Sequence, residues 1–126
     1  KNGYTETLFG RRRQFPEMKS SLPYVRAQAE RMAINAPIQG TQADLIKRAM
    51  VEVDRVLRES GDREDAHLLL QVHDELVYEV RTERVVELGA RIKNVMEEAF
   101  PRQLTNGVPI LADAKSGANW GDMQPL

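Results

Sequence analysis

Residues 68–80, with the sequence LLLQVHDELVYEV, constrain the fold of this chain most strongly. Two arms of strand-forming residues flank a polar centre, and this pattern predicts a β-hairpin. The tip, His73-Asp74-Glu75, contains no glycine, although tight hairpin turns favour Asn-Gly or Asp-Gly. Two adjacent carboxylates at such a tip either face solvent or are neutralised by a cation such as Mg²⁺, which is commonly held by one or two carboxylates together with substrate phosphates.

The spacing of apolar residues predicts three helices, at about residues 23–35, 41–59 and 82–99. The first two are separated by Ala36-Pro37-Ile38-Gln39-Gly40. A proline removes a backbone donor and glycine adds conformational freedom, so this segment predicts a break or a sharp kink. The residues from Thr41 to Asp44 resemble a capping box that begins the second helix.

Two further stretches have strand character. Residues 4–15 form strand-like arms around Gly10 and predict an N-terminal β-hairpin. Residues 108–114 predict a final strand, at a sheet edge because Pro109 lies near its start. The predicted fold is therefore α+β: a small antiparallel sheet, made of the central hairpin and the C-terminal strand, packed by three helices, with an additional N-terminal hairpin.

The composition suits one small domain or a piece of a larger protein, because the chain has 126 residues, of which 41% are hydrophobic and 29% charged. The absence of cysteine excludes a disulfide framework and a thiolate metal site. No apolar run approaches membrane-spanning length, so we expect a cytoplasmic protein without a membrane partner. The chain begins at Lys1 rather than Met, and we expect its start to lie inside a longer protein.

The charge is unevenly distributed along the chain. Residues 1–60 hold 11 Lys and Arg against 7 Asp and Glu, whereas residues 61–126 hold 7 against 12. A basic front and an acidic back suit a protein that binds a polyanion with one part and a cation with the other. An asymmetry of this size also occurs in unrelated proteins, so it only favours this interpretation.

Two groups of polar residues in the basic half are candidates for nucleic-acid contacts. The run Arg11-Arg12-Arg13 lies on a predicted strand and either contacts phosphates or protects a charged edge against aggregation. Arg31, Asn35 and Gln39 recur at four-residue spacing beside the Pro–Gly segment. Their side chains suit contacts with base edges or sugars, and the alternative is that they cap two helix ends.

Several of these stretches together resemble family A DNA polymerases, the bacterial DNA polymerase I type. Residues 72–76, Val-His-Asp-Glu-Leu, are similar to the third palm motif of that family. Residues 31–44 resemble the family's stretch that touches the minor groove of the primer–template duplex. Residues 3–13 and the closing Gly117-Ala118-Asn119-Trp120 match in order and spacing. The resemblance covers essentially the whole chain.

The resemblance implies roles for particular residues. Asp74 matches one of the two palm carboxylates that hold the catalytic metals, and Glu75 matches its supporting neighbour. His73 resembles the residue that contacts the primer end. Further DNA contacts are implied for a basic and polar set: Arg11, Arg12, Arg13, Arg31, Asn35 and Gln39. The implied cofactor is Mg²⁺ in a two-metal site, and the implied partners are primer–template DNA and deoxynucleoside triphosphates.

The resemblance also implies that the catalytic machinery is incomplete. The chain corresponds to one partial domain, residues 1–126, from the C-terminal part of the palm; the fingers, the thumb and the first palm motif are absent. We therefore expect the isolated chain to be inactive, and to self-associate where the missing parts would cover it. The alternatives are a non-catalytic DNA-binding or structural fragment, or a metal-dependent phosphohydrolase that uses His73 and Asp74.

Overall fold

The structure is a computed structural model that describes residues 3–126. The chain divides into two compact units, the first ending at Asp44 and the second covering Leu45–Leu126. The longest element, helix α1 (Pro23–Glu59), contributes its first part to one unit and its remainder to the other. Within the described range, no helix is long and apolar enough to cross a membrane.

The first unit begins with the expected N-terminal hairpin. Strands β1 (Tyr4–Glu6) and β2 (Arg12–Gln14) pair antiparallel, and a 3₁₀ turn at Pro16–Lys19 follows. Phe15, directly after β2, is buried against Ala33 and Ala36 of α1. These small helix residues let the helix approach the aromatic ring closely, so the core of this unit forms between the hairpin end and the helix.

Helix α1 is continuous through Pro37, so the predicted break at residues 36–40 is wrong. An interior proline costs a helix about 3 kcal/mol through the lost hydrogen bond and the ring clash. Here Ala33 and Ala36, which directly precede Pro37 in α1, are buried against Phe15. Burial of this face offsets the cost, and an established helix propagates more easily than it starts again. The three predicted helices are consequently two α-helices.

The second unit contains the central hairpin and the second helix. Strands β3 (Ala66–Val72) and β4 (Glu75–Val80) pair antiparallel, and helix α2 covers Val85–Glu98 after a 3₁₀ turn at Thr82–Arg84. The buried core combines residues of α1, β3 and α2: Val53, Leu57, Ala66, Leu88 and Ile92. Tyr78 and Val80 of β4 pack against it. The α+β class is confirmed, with the core formed between the two helices and the part of the hairpin that includes Ala66, Tyr78 and Val80.

The predicted strand at residues 108–114 is wrong, because these residues belong to no strand ladder. Pro109 has no N–H to offer a neighbouring strand. The backbone N–H of Ala112 donates instead to the Glu97 side chain of α2, at 3.0 Å. The only pairing farther along the described chain is between β5 (Lys115–Ser116) and β6 (Gln124–Pro125). Within residues 3–126 the central sheet therefore has two strands.

A β-bulge at Leu69 changes which residues of β3 share a face. Leu68 pairs with Tyr78 and Leu70 pairs with Val77, so Leu69 is the extra residue. Directly opposed residues share a face, which places Leu68 with Tyr78 and Leu70 on the other side. Simple alternation along the sequence would have put Leu68 and Leu70 together.

A buried carboxylate joins the end of α1, the start of β3 and α2. Asp62 is only 6% exposed. It accepts hydrogen bonds from the Ser60 hydroxyl at 2.6 Å and from the guanidinium groups of Arg84 and Arg91. The Ser60 hydrogen bond and then the Arg84 interaction lower the pKa of Asp62 to about 2. Arg84 also binds Asp65 at 2.8 Å, which extends the network.

Candidate functional site

The central hairpin ends in a two-residue turn formed by His73 and Asp74. Val72 and Glu75 are the last residue pair of the ladder, so no longer loop is present. His73 has a φ of +53°, a conformation that usually favours glycine at the first position of a tight hairpin turn. The side-chain amide of Gln71 donates a hydrogen bond to the backbone carbonyl oxygen of His73 at 2.6 Å. This bond fixes the peptide group between His73 and Asp74.

The turn exposes its functional groups. His73, Asp74 and Glu75 are all exposed, so their side chains are accessible from solvent. Two carboxylates on consecutive residues suit a hard divalent cation that takes its other ligands from water and substrate phosphates. Among residues 3–126, no group of three or more His, Cys, Asp or Glu side chains could hold a metal. Two adjacent carboxylates therefore fit part of the coordination sphere of a magnesium ion.

Arg31, Asn35 and Gln39 form a polar stripe along α1. The helix does not end between them, so the interpretation that they cap two helix ends is wrong. All three are exposed, and residues four apart lie on the same side of a helix. The buried Ala33 lies on the opposite side, whereas the buried Ala36 lines a cavity together with Gln39. The stripe is thus presented to solvent by a continuous helix.

Two of the three arginines in the first unit are engaged with acidic or carbonyl groups. Arg12 binds Glu6 at 2.6 Å, and its guanidinium lies 4.6 Å from the centre of the Tyr4 ring. The Arg11 guanidinium binds the Asp44 carboxylate at 2.7 Å and donates to the Gly40 carbonyl oxygen at 3.1 Å. Both cations therefore have nearby groups that neutralise or satisfy them.

Arg13 differs from its two neighbours. Its guanidinium lies 5.2 Å from the centre of the Phe15 ring, and within residues 3–126 it forms no ion pair. Arg13 and Gln39 line a shallow cavity of about 220 Å³ together with Arg11 and Gly40. The first unit thus brings a cationic side chain and an amide to one concave surface.

The sequence did not reveal the importance of Thr7 and Asp44. Asp44 was assigned to a capping box, but the helix continues there and its carboxylate binds the hairpin instead. Thr7 donates to Asp44 at 2.8 Å although 37 residues separate them. Side-chain contacts at such separation leave no local spacing signal.

The structure thus groups the candidates within each unit. In the second unit, the three tip residues lie on consecutive positions of one turn. In the first unit, Arg11, Arg13 and Gln39 line the same cavity, and Arg31 and Asn35 continue the stripe toward the start of α1. Arg12 lies apart from this cavity lining and pairs with Glu6.

Comparisons with known proteins give one consistent family. A DNA polymerase I of Rhizobium leguminosarum is 48% identical over 120 residues, covering 95% of this chain and 12% of that protein. A thermostable DNA polymerase I of Thermus filiformis is 51% identical over 118 residues, covering 94% of this chain and 13% of that protein. The chain therefore spans about one eighth of the length of these relatives.

A solved structure matches as well. It is the POL domain of Pol1 from M. smegmatis in complex with DNA primer–template and dNTP. The two are 49% identical in sequence and superpose with a TM-score of 0.74. The match covers 79% of this chain and 17% of the M. smegmatis chain. The family model for DNA polymerase family A matches residues 1–122. Because that match covers nearly all of the sequence, the chain belongs to DNA polymerase family A.

Proposed function

We propose that this chain is the C-terminal palm portion of a DNA-directed DNA polymerase that adds nucleotides to a primer 3′-hydroxyl. The observation that carries the proposal is the exposed Asp74-Glu75 pair at a tight hairpin tip, in a chain of family A. The Mycobacterium relative, solved with primer–template and dNTP, supports the same substrates for this chain. Family membership favours this function over a phosphohydrolase.

Asp74 and Glu75 are the metal-binding residues in this proposal. Bound Mg²⁺ would supply charge stabilisation to the attacking and leaving oxygens of the phosphoryl transfer. Asp74, in the turn, provides the principal carboxylate and Glu75, at the start of β4, a supporting one. The remaining metal ligand comes from the first palm motif, outside this chain. The short turn holds Asp74 at a fixed place relative to the β3–β4 ladder.

Contacts with the duplex are assigned to the polar stripe and to His73. Arg31, Asn35 and Gln39 offer donors and acceptors along an exposed helix face. Minor-groove acceptors are nearly the same for all base pairs, so such contacts check pair geometry without reading sequence. His73, adjacent to Asp74 in the turn, contacts the primer end.

The three arginines have different roles in this proposal. Arg12 and Arg11 are engaged by Glu6 and by Asp44, respectively, and mainly hold the hairpin together. Arg13 lines the cavity beside Gln39 and contacts a DNA phosphate. Neutralising one phosphate releases condensed counterions, so Arg13 contributes to the salt dependence of DNA binding.

The full-length polymerase is the setting for these roles. It supplies the fingers, the thumb and the first palm motif, binds deoxynucleoside triphosphates, and acts in DNA replication and repair in the cytoplasm. We propose that residues 1–126 are one partial domain of it. When separated from the rest, the chain has no templated activity and self-associates through surfaces that the missing parts cover.

The test is Asp74→Ala in the full-length polymerase. Primer extension with Mg²⁺ should fall by about three orders of magnitude or more, comparable to the loss of other catalytic groups that act by electrostatic stabilisation. Primer–template affinity should stay within about threefold, because phosphate contacts dominate DNA binding. The matched control is Asp113→Ala, which removes an exposed carboxylate in the segment between α2 and β5 and should extend normally. Normal extension by Asp74→Ala would rule out the metal role.

A further inference from the structure

We infer that Asp44 and Thr7 are positioning residues that hold the arginine-bearing hairpin against α1, so that Arg13 reaches a DNA phosphate beside the minor-groove contact of Gln39. This inference rests on the proposed function and adds residues to which no DNA role has been assigned above. The contacts all lie within the first unit. Together with Arg11 and Gly40, Asp44 and Thr7 form what we call the hairpin clamp.

The carboxylate of Asp44 is the centre of the clamp. Its side chain is only 12% exposed. One oxygen accepts from the Thr7 hydroxyl at 2.8 Å, and the other accepts from the Arg11 guanidinium at 2.7 Å. A largely buried carboxylate is costly unless it is paired and hydrogen-bonded, so the contacts with Thr7 and Arg11 stabilise it there.

Thr7 connects the Asp44 carboxylate to the hairpin turn. Besides donating to Asp44, its hydroxyl oxygen accepts from the backbone N–H groups of Phe9 and Arg11, at 3.3 and 3.2 Å. The side chain is buried, at 9% exposure. One hydroxyl therefore fixes both ends of the turn that leads into β2 and to Arg13.

Gly40 permits the close approach of hairpin and helix. A Cβ atom at this position would lie 2.7 Å from the Thr7 methyl group, closer than real contacts allow. Thr7 cannot easily move aside because three hydrogen bonds hold it. Gln39 lies in the same turn of α1 as Gly40. The hairpin clamp therefore sets the distance between Gln39 and Arg13 across the cavity.

The hairpin clamp also determines which arginine presents its guanidinium charge to DNA. Arg11 and Arg13 lie two residues apart and share a side of the strand. Asp44 neutralises Arg11 there, whereas Arg13 lines the same cavity without an ion pair in the described chain. A hairpin released from α1 would keep the charge of Arg13 but lose its fixed placement beside Gln39.

The test is a double-mutant cycle in the full-length polymerase. Thr7→Val removes the hydroxyl without changing charge, and Arg13→Gln removes the proposed phosphate contact. Primer–template binding is measured by fluorescence anisotropy at several KCl concentrations. One phosphate contact contributes about 0.9 to the slope of log K against log[salt], so each single variant should flatten the slope by about one. The double variant should be no flatter than either single variant.

Two further variants separate positioning from general destabilisation. Gly40→Ala inserts a methyl group against Thr7 without removing any hydrogen-bonding group, so it should flatten the slope by about one, as Thr7→Val does. Thr105→Val removes a hydroxyl that donates to the Arg102 carbonyl in the other unit, and should leave the slope unchanged.

The outcomes distinguish this inference from the function on which it rests. If the wild type binds primer–template with a steep salt dependence and both Thr7→Val and Gly40→Ala keep its slope, the clamp has no positioning role. Additive effects of Thr7→Val and Arg13→Gln would likewise overturn it. A wild-type polymerase that did not bind primer–template would instead overturn the proposed function.

Discussion

At the scale of single residues, Asp62 shows how burial changes the part that a charged side chain plays. Four consecutive charged residues, Asp62 to Asp65, are a pattern typical of a solvated loop. The structure buries it beneath two arginines and the Ser60 hydroxyl. The resulting pKa of about 2 is well below the ordinary value of 3.8, so the ionised form stabilises the fold.

This lowered pKa makes a prediction about pH. Between pH 4 and 2 the unfolded chain binds a proton at Asp62 more readily than the folded chain, so unfolding becomes easier as the pH falls through this window. Asp62→Asn should be less stable than the wild type at pH 7. This gap, the difference between their free energies of unfolding, should shrink toward pH 2. Urea unfolding of both variants at pH 7, 4 and 2.5 measures it. A gap that is constant with pH would mean that the charge of Asp62 is unimportant.

Residue types alone identified the hairpin tip. They did not identify the backbone conformation of that tip or the long-range contact that holds the N-terminal hairpin. Adjacent carboxylates at a turn without glycine mark a position that turn chemistry does not explain, and the tip is exposed as expected. The left-handed backbone of His73 follows from the ladder closing at Val72 and Glu75, which the sequence does not specify. The Thr7–Asp44 contact depends on folding across 37 residues and has no local signature.

At the scale of elements, α1 departs most from the sequence pattern. Local rules place a break at Pro37 and Gly40, but tertiary packing keeps the helix continuous. Apolar spacing predicted α2, whose buried Leu88 and Ile92 lie four residues apart, and strand-forming residues on either side of a turn predicted both hairpins. It could not predict the bulge at Leu69, nor that Ala112 would bond to Glu97 rather than to a strand.

Continuity of α1 can be tested with Pro37→Ala. If the helix runs through this position, the new N–H completes a helical hydrogen bond and the ring clash disappears, so stability should rise by about 1–3 kcal/mol. Pro23→Ala is the matched control, because Pro23 is the first residue of α1, where proline is tolerated. Its effect should be within about 0.5 kcal/mol. Urea unfolding gives both values, and equal effects of the two substitutions would favour a broken helix.

At the scale of the whole molecule, the chain matches part of the fold of a family A polymerase domain. It spans 12 to 13% of the length of two curated relatives, and the tip supplies two adjacent carboxylates. A two-metal site needs ligands from separated parts of the protein. The fold class and the tip were predictable from this stretch, whereas a site shared with other segments cannot be read from one segment.

The isolated 126-residue chain should therefore fail to polymerise. In a primer-extension assay with Mg²⁺ and all four deoxynucleotides, we expect no templated addition, because the proposed function assigns the first palm motif and the nucleotide-binding fingers to segments outside residues 1–126. The full-length polymerase at the same molar concentration is the positive control. Templated extension by the isolated chain would show that it contains a complete active site.

The most direct test of the central claim is metal binding at the hairpin tip. Bound Mn²⁺, used in place of Mg²⁺, can be counted by electron paramagnetic resonance in the full-length polymerase with a chain-terminated primer–template and the next nucleotide. We predict that Asp74→Ala loses at least one bound ion per polymerase, that Glu75→Gln loses less, and that Asp113→Ala matches the wild type. Unchanged Mn²⁺ binding by Asp74→Ala would contradict the assignment of this tip as the metal-binding part of the chain.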